Sequence, residues 1–366
     1  MADPLTSPEH LQATIRLVSL PIRAVLGAAH DEHPPERRDL VYVALHETDS
    51  PGTVLGWGEC SALNAPTYTA EWAEGAYEQL AAGRPIDASS HPMAAAAVEM
   101  AHLDADLRRS GQSLADRLGT SGRRSRAGAV VGLGPIPDIL DQVEGLVEQG
   151  YRRVKCKISP GRVVEPVRAV IERFPGLEVQ VDANGSLSVA DIGLLAALRD
   201  LGVAAVEQPF AVADHANAAR LVADTDLTVI ADEAVASVDD LRAVAQDQAA
   251  TAVAVKPPRL GGLACALELV DAARIFGMQC SIGGLLESGL GRHQLAALAP
   301  LEPFTITGDL SPARRWLAAD PFPDLEMVDG EIPAPTTIGI AGDPDLDILE
   351  AHTVRRVVAN APAPIT

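Results

Sequence analysis

Five ionisable residues recur at an almost constant interval in this chain: Lys157, Asp182, Glu207, Asp232 and Lys256 follow one another at steps of 25, 25, 25 and 24 residues. Each closes a short apolar run, in "RRVKCK", "VQVD", "AAVE", "TVIAD" and "VAVK". One acidic residue at a strand end is as easily a loop cap as a ligand, but five at one spacing are hard to explain as caps. Three carboxylates on neighbouring strands repel one another unless a cation sits among them. Oxygen-only ligands favour Mg²⁺ over zinc and leave positions open for a substrate. "RRVKCKIS" adds Lys155, and in a strand positions 155 and 157 point to one side. A lone K-x-K is most simply an edge strand with a solvated face. Beside periodic carboxylates it reads instead as part of a site, where neighbouring positive charge lowers a lysine pKa toward the range useful for a base.

Such a repeat needs a scaffold that brings successive strand ends together. An eight-unit barrel spans ~250 residues, so one βα unit takes about the observed interval, and barrel sites sit at the C-terminal strand ends. After Arg126 the sequence alternates short buried strands with helices ("AGAVVGL", "IPDILDQVEGLVEQG", "RRVKCKI", "VVEPVRAVIERF", "LEVQVDA"), as in a parallel sheet. With "AGAVVGL" as the first strand, Lys155 and Lys157 fall on the second and Lys256 on the sixth. Those strands face each other across an eight-stranded ring, so Lys157 and Lys256 flank whatever binds between them. Residues 11 to 65 read as an antiparallel meander divided by "AAHDEHPPERR" and "TDSPGT", and the next 50 or so as helices. The Pro-, Gly- and Asp-rich "DLEMVDGEIPAPTTIGIAGDPDLD" loses the βα rhythm and reads as a return to the first unit. The expected division is a cap at 1–126, a barrel at 127–318 and a C-terminal return at 319–366.

The formal net charge of −21, from 29 Lys and Arg against 50 Asp and Glu, argues against nucleic-acid or membrane partners. Content of 47% hydrophobic residues without a run of membrane-spanning length suits a large soluble core. Cys60, Cys156, Cys265 and Cys280 have no C-x-x-C spacing, and "MADPLTSPEHLQ" has no charged-then-apolar leader. The expected setting is the cytoplasm. The expected partners are a small-molecule carboxylate and further copies of the same chain.

In this order, the five residues resemble the enolase superfamily, in its muconate-lactonizing-enzyme-like branch. "GWGECSALNAPTYT" is similar to that family's capping strand and loop, and "DGEIPAPTTIGIAGD" to its C-terminal return. The resemblance implies a modified TIM barrel, (β/α)7β, with an α+β capping domain built from both ends of the chain. It implies Asp182, Glu207 and Asp232 as ligands of Mg²⁺, for which Mn²⁺ could substitute, with Lys157 and Lys256 as the acid/base pair. Sites of that superfamily use a Lys or His base with Mg²⁺ to stabilise an ene-diolate. Lys155, Asn184, Arg259 and Ser288 are implied as assisting or substrate-contacting residues. Glu233 is expected to alternate away from the site.

"KPPRLGG" and "CSIGGLLESGLGRHQLAALAPLEPFTITGDLS" most resemble o-succinylbenzoate synthases, which act in menaquinone biosynthesis, and the related N-succinylamino acid racemases. Dehydration by the synthase is the first expectation, with racemisation of an N-acylamino acid the alternative. Dipeptide epimerisation ranks third, because "TGDLS" lacks the D-x-D associated with that group. A barrel that binds ligands without chemistry is the non-enzymatic alternative, disfavoured by the complete residue set. Where the subgroup carries Ser in its first barrel strand, this chain carries Val130, which changes the contacts offered to a substrate. His293 is expected at the surface or behind the site, and Arg162 is a candidate anion partner. Met93 and Met100 read as core residues. "NAPTYT" reads as a loop over the barrel mouth, and loops 26–36 and 64–70 as the sites of first proteolysis.

Overall fold

The computed structural model describes residues 11–23, 36–49 and 52–363. The opening "MADPLTSPEH" and nearly all of the expected cleavage loop 26–36 lie outside the described residues. Strands β1 (Leu11–Pro21), β2 (Arg37–Glu47) and β3 (Val54–Cys60) form the meander, followed by helices α1 (Ala73–Ala81), α2 (Pro92–Ser110) and α3 (Leu114–Leu118). Then come β4 (Arg124–Arg126), β5 (Ala129–Val131), α4 (Ile136–Glu148), β6 (Arg153–Lys157), α5 (Glu165–Arg173) and β7 (Glu178–Asp182). The alternation continues through α6 (Ile192–Asp200), β8 (Ala205–Glu207), α7 (His215–Asp224), β9 (Thr228–Ala231), α8 (Val238–Gln246) and β10 (Ala252–Val255). It closes with α9 (Pro257–Leu260), α10 (Leu263–Ile275), β11 (Gln279–Ile282), α11 (Gly289–Leu298), β12 (Glu331–Pro333), α12 (Leu346–His352) and β13 (Thr353–Asn360).

Strands β5 to β11 make one seven-stranded parallel sheet in sequence order. Residues 306–310 close the ring. Ile306 and Asp309 donate backbone N–H groups to Cys280 and Ile282 on one side, and Leu310 accepts from Gly128 on the other. The fold is therefore the expected modified TIM barrel. Val154 and Cys156 on β6, and Ile158 just past it, are buried in the layer beneath the helices, which frees 153, 155 and 157 for the interior. Lower in the barrel, Ala205, Ile230, Ala252 and Ala254 form a separate small core.

The cap is a four-stranded antiparallel sheet ordered β13-β1-β2-β3, so the C-terminal tail supplies an edge strand to the N-terminal unit. Helix α2 lies against β3 closely enough that a Cβ on Gly56 or Gly58 would fall 2.3 Å from the Ala101 carbonyl or 1.9 Å from that of Ala97. That contact explains both the "GWG" glycines and the alanine run of the helix. Met93 and Met100 are buried, as expected. All four cysteines are unpaired. Among the described residues no helix is long and apolar enough to cross a membrane.

Candidate active site

The repeat seen in the sequence becomes a ring of strand ends. Lys157, Asp182 and Glu207 are the last residues of β6, β7 and β8, and register places Lys157 beside Asp182 and Asp182 beside Glu207. Asp232 and Lys256 stand one residue beyond β9 and β10. A cavity of about 380 Å³ opens above them, with Lys155, Lys157, Asp182, Asn184, Glu233 and Lys256 on its polar side. Leu63, Val130, Val212, Leu285 and Leu286 supply its apolar lining. Lys256 reaches the cavity past Gly283, where any Cβ would sit 2.4 Å from its Cε. The "SIGG" glycine thus keeps that lysine's path open.

Glu207 and Asp232 stand one layer back, each held by a lysine that lines the cavity. Lys155 Nζ donates to Glu207 (2.7 Å) and Asp309 (2.6 Å), Lys157 Nζ to Asp182 and Asn184 (2.7 Å each), and Lys256 Nζ to Asp232 (2.6 Å). Arg259, buried on α9, donates to the other oxygen of Asp232. Burial would raise Asp182 and Asp232, but their cations outweigh it and hold both below the usual carboxylate range. Glu207 has only Lys155 against burial and three carboxylate neighbours, Asp182, Asp232 and Asp309, and rises to about 7.

Turned to these carboxylates, Lys155 and Lys256 stand above their ordinary value: burial lowers them, and the carboxylates they touch raise both. The expected lowering of a lysine pKa concerns a site that also holds a divalent cation. Two expectations need correction. Glu233 does not alternate away, because β9 ends at Ala231 and the turn after it no longer follows strand alternation. It accepts from Asn184 Nδ2 at 3.0 Å, and burial followed by Asp232 raises it to about 7. Ser288 is fully buried, caps α11 and donates to Glu59, so it lies away from the cavity lining. Of the two placements expected for His293, the surface is excluded: it is buried on α11, bonded to the Gly289 carbonyl (2.7 Å). Arg162 is tied to the backbone of Gly134.

Three residues at the site escaped the sequence reading. Tyr68, in "NAPTYT", reaches from the cap with its hydroxyl on Asp232 and within 2.9 Å of Lys256 Nζ. No periodic signal marks it. Asp309 bridges Lys155 and Arg153 (2.7 Å). It stands 53 residues after Lys256, two further steps of the same repeat, and could have been found by continuing it. Arg153 shares the inward face of β6 with both lysines, so "RRVKCKIS" carries three cations on one side.

The donor set suits a hard divalent cation: Asp182, Glu207 and Asp232 offer oxygen alone, and Oε1 of Glu207 is buried with no hydrogen-bond partner. As the side chains stand, each carboxylate is turned to an ammonium or guanidinium group. Among the described residues, no three acidic, His or Cys side chains are gathered tightly enough to hold an ion. The carboxylates would have to exchange a cationic side chain for the metal.

Comparison with known proteins agrees with this architecture. Residues 138–348, more than half of the chain, match the family described as Enolase C-terminal domain-like. The chain is 34% identical to the o-succinylbenzoate synthase of Bacillus subtilis (strain 168), over 87% of this chain and 90% of that protein. It is 35% identical to an N-succinylamino acid racemase from Amycolatopsis sp, over 82% and 88% of the two chains. A solved enolase-superfamily member from Listeria innocua superposes with a TM-score of 0.85 at 29% identity, covering 96% of this chain and 98% of that one. With the ring of strand ends and the cap that closes over it, these matches establish that the chain belongs to the enolase superfamily.

Proposed function

We propose that this chain is an o-succinylbenzoate synthase: it removes the proton α to a substrate carboxylate and expels hydroxide from the adjacent carbon. The observation that carries the reading is the pair Lys157 and Lys256, on β6 and just past β10, each lining the same cavity beside carboxylates of the intervening strands. The relative from Bacillus subtilis bears that activity in its name. Asp182, Glu207 and Asp232 are proposed to hold Mg²⁺, or Mn²⁺ in its place. When bound, such an ion supplies positive charge to the carboxylate oxygens, where charge builds as the α-proton leaves.

Lys157 is proposed to take the proton, breaking the C–H bond, and to return it to the departing hydroxide on the same face, so that a C=C bond and water result. Its hydrogen bond to Asn184 fixes the direction of its Nζ. Lys256, bonded to Tyr68 and Asp232, stays protonated and faces the developing charge. The apolar wall of Leu63, Val130 and Leu286 excludes water from the reacting carbon. The chain is further proposed to serve menaquinone formation in the cytoplasm as a homo-oligomer, with the cap and barrel divided as at 1–126, 127–318 and 319–366.

A second reading, racemisation of N-succinyl- or other N-acylamino acids, is favoured by the placement of the two lysines on opposite strands, one for each face of an α-carbon. Dipeptide epimerisation has less support, because Asp309 is committed to Lys155 and Arg153. The test is a parallel assay of the synthase substrate and a panel of N-acylamino acids, with α-deuterium incorporation followed by NMR. Lys157→Ala and Lys256→Ala are expected to lose exchange with opposite enantiomers, each by ~10²- to 10⁴-fold. Exchange of both enantiomers at the wild-type rate by either variant would remove that lysine from the mechanism.

A further inference from the structure

We propose that Arg38, on β2 of the cap, is a positioning residue that sets which substrate side groups the cavity accepts. It fastens together the cap segment and the barrel segment that form the cavity's apolar wall. The inference rests on the reading of that cavity as a site of α-proton abstraction.

Arg38 is 1% exposed and ends in the polar stretch "AAHDEHPPERR" that the sequence offers only as a divider. All five of its N–H groups are used, and every acceptor is a backbone carbonyl. Nη1 donates to Ala62 (2.6 Å) and Asp39 (2.9 Å), Nη2 to Ser61 and Leu285 (3.0 Å), and Nε to Leu286 (3.3 Å). No carboxylate is bonded to it among the described residues. Burial lowers its pKa, and Glu59 and Glu287 oppose that from a distance.

The bonded segments are the ones that matter for the cavity. Ser61 and Ala62 immediately precede Leu63, which lines it, and Tyr68 follows on the same loop. Leu285 and Leu286 line it from the barrel. Leu286 has φ +57°, a left-handed conformation that a branched side chain adopts only when its surroundings hold it there. Those surroundings are Arg38 on the two carbonyls and Glu287 Oε1 on the Leu285 N–H (2.8 Å). A planar fork of five donors can span both segments, and a lysine ammonium with three cannot. Lys157 and Lys256 sit on elements that Arg38 does not touch. Loosening the clamp therefore moves the wall and leaves Lys157 in place, while Lys256 feels it only through the Tyr68 hydroxyl.

The test uses Arg38→Met and Arg38→Lys in the full chain with Mg²⁺. Amide hydrogen exchange is followed by mass spectrometry, and α-deuterium exchange is measured for N-acetylalanine and N-acetylphenylalanine. In Arg38→Met, exchange of peptides covering 61–70 and 284–287 should rise about tenfold or more while the rest of the barrel is unchanged. The KM ratio of the two probes should shift toward parity by about tenfold, with kcat for exchange at the Lys157 face held within about threefold. Arg38→Lys should fall between, and it carries the same readouts if Arg38→Met does not fold. A uniform rise across the barrel, or an unchanged KM ratio with locally raised exchange, overturns the proposal. Failure of the wild-type chain to exchange either probe would overturn the racemase reading alone, and the KM of the synthase substrate is then the readout, which Arg38→Met should change by about tenfold.

Discussion

The barrel mouth and the seam between cap and barrel both bury charge, but they satisfy it with different partners. At the mouth, side chain answers side chain: Lys157 holds Asp182, Lys155 holds Glu207, Lys256 holds Asp232, and Oε1 of Glu207 and Oε2 of Glu233 are buried without a partner. At the seam, backbone mostly answers side chain, the Ser288 hydroxyl on Glu59 being an exception. Arg38 spends its donors on five carbonyls, and Glu99 accepts from Leu263 and Ala264 at the start of α10. A side-chain partner can rotate away and be traded for a substrate or a cation, whereas a backbone partner cannot leave without moving its element. The mouth is therefore built for exchange and the seam for rigidity.

The largest expected effect tests the mouth. Asp182→Asn, Glu207→Gln and Asp232→Asn should each lower α-proton exchange by about 10³-fold, while circular dichroism shows a folded chain. Exchange at the wild-type rate in any of them would mean that its carboxylate is not part of a working metal site. Next, if the mouth trades partners, adding Mg²⁺ at ~100 times its Kd should stabilise the wild type by about 2.7 kcal/mol in thermal melts, and the three variants far less. Equal stabilisation of all four proteins would place the ion elsewhere.

At the seam the tests read stability. Glu59 accepts from Ser288 and Gly291, and burial raises its pKa from an ordinary 4.5 to about 8. A carboxyl raised in the folded state binds its proton more tightly there, so its contribution is full below about 4.5 and is lost as pH rises to about 8. Urea titrations between those limits should show Glu59 costing ~1.4 kcal/mol per pH unit where it titrates, a slope that Glu59→Gln removes. An identical slope in the variant would mean that Glu59 is ionised throughout. Smallest, Glu99→Ala should cost about 1 kcal/mol by freeing the N-terminus of α10, with kcat unchanged. A loss of activity larger than the loss of stability would show that the seam, too, takes part in catalysis.

The sequence by itself determined the barrel and the position of its working end. A βα unit has a nearly fixed length, so residues that serve one site recur at that length, and Lys157, Asp182, Glu207, Asp232 and Lys256 were legible for this reason. Alternation along β6 also placed Lys155 and Lys157 inside, because period-2 geometry is a local property of the chain. Only the tertiary structure decided the rest. Tyr68 and Arg38 come from the cap, whose docking is set by contacts more than 200 residues apart in sequence, such as Arg38 with Leu285. Glu233 turned inward because a strand ended one residue early, and Ser288 turned from the cavity to Glu59 because a helix began there. The protonation balance at the lysines likewise followed from which charges became nearest neighbours, and distance through space, on which Coulomb energy depends, is not written in the order of residues.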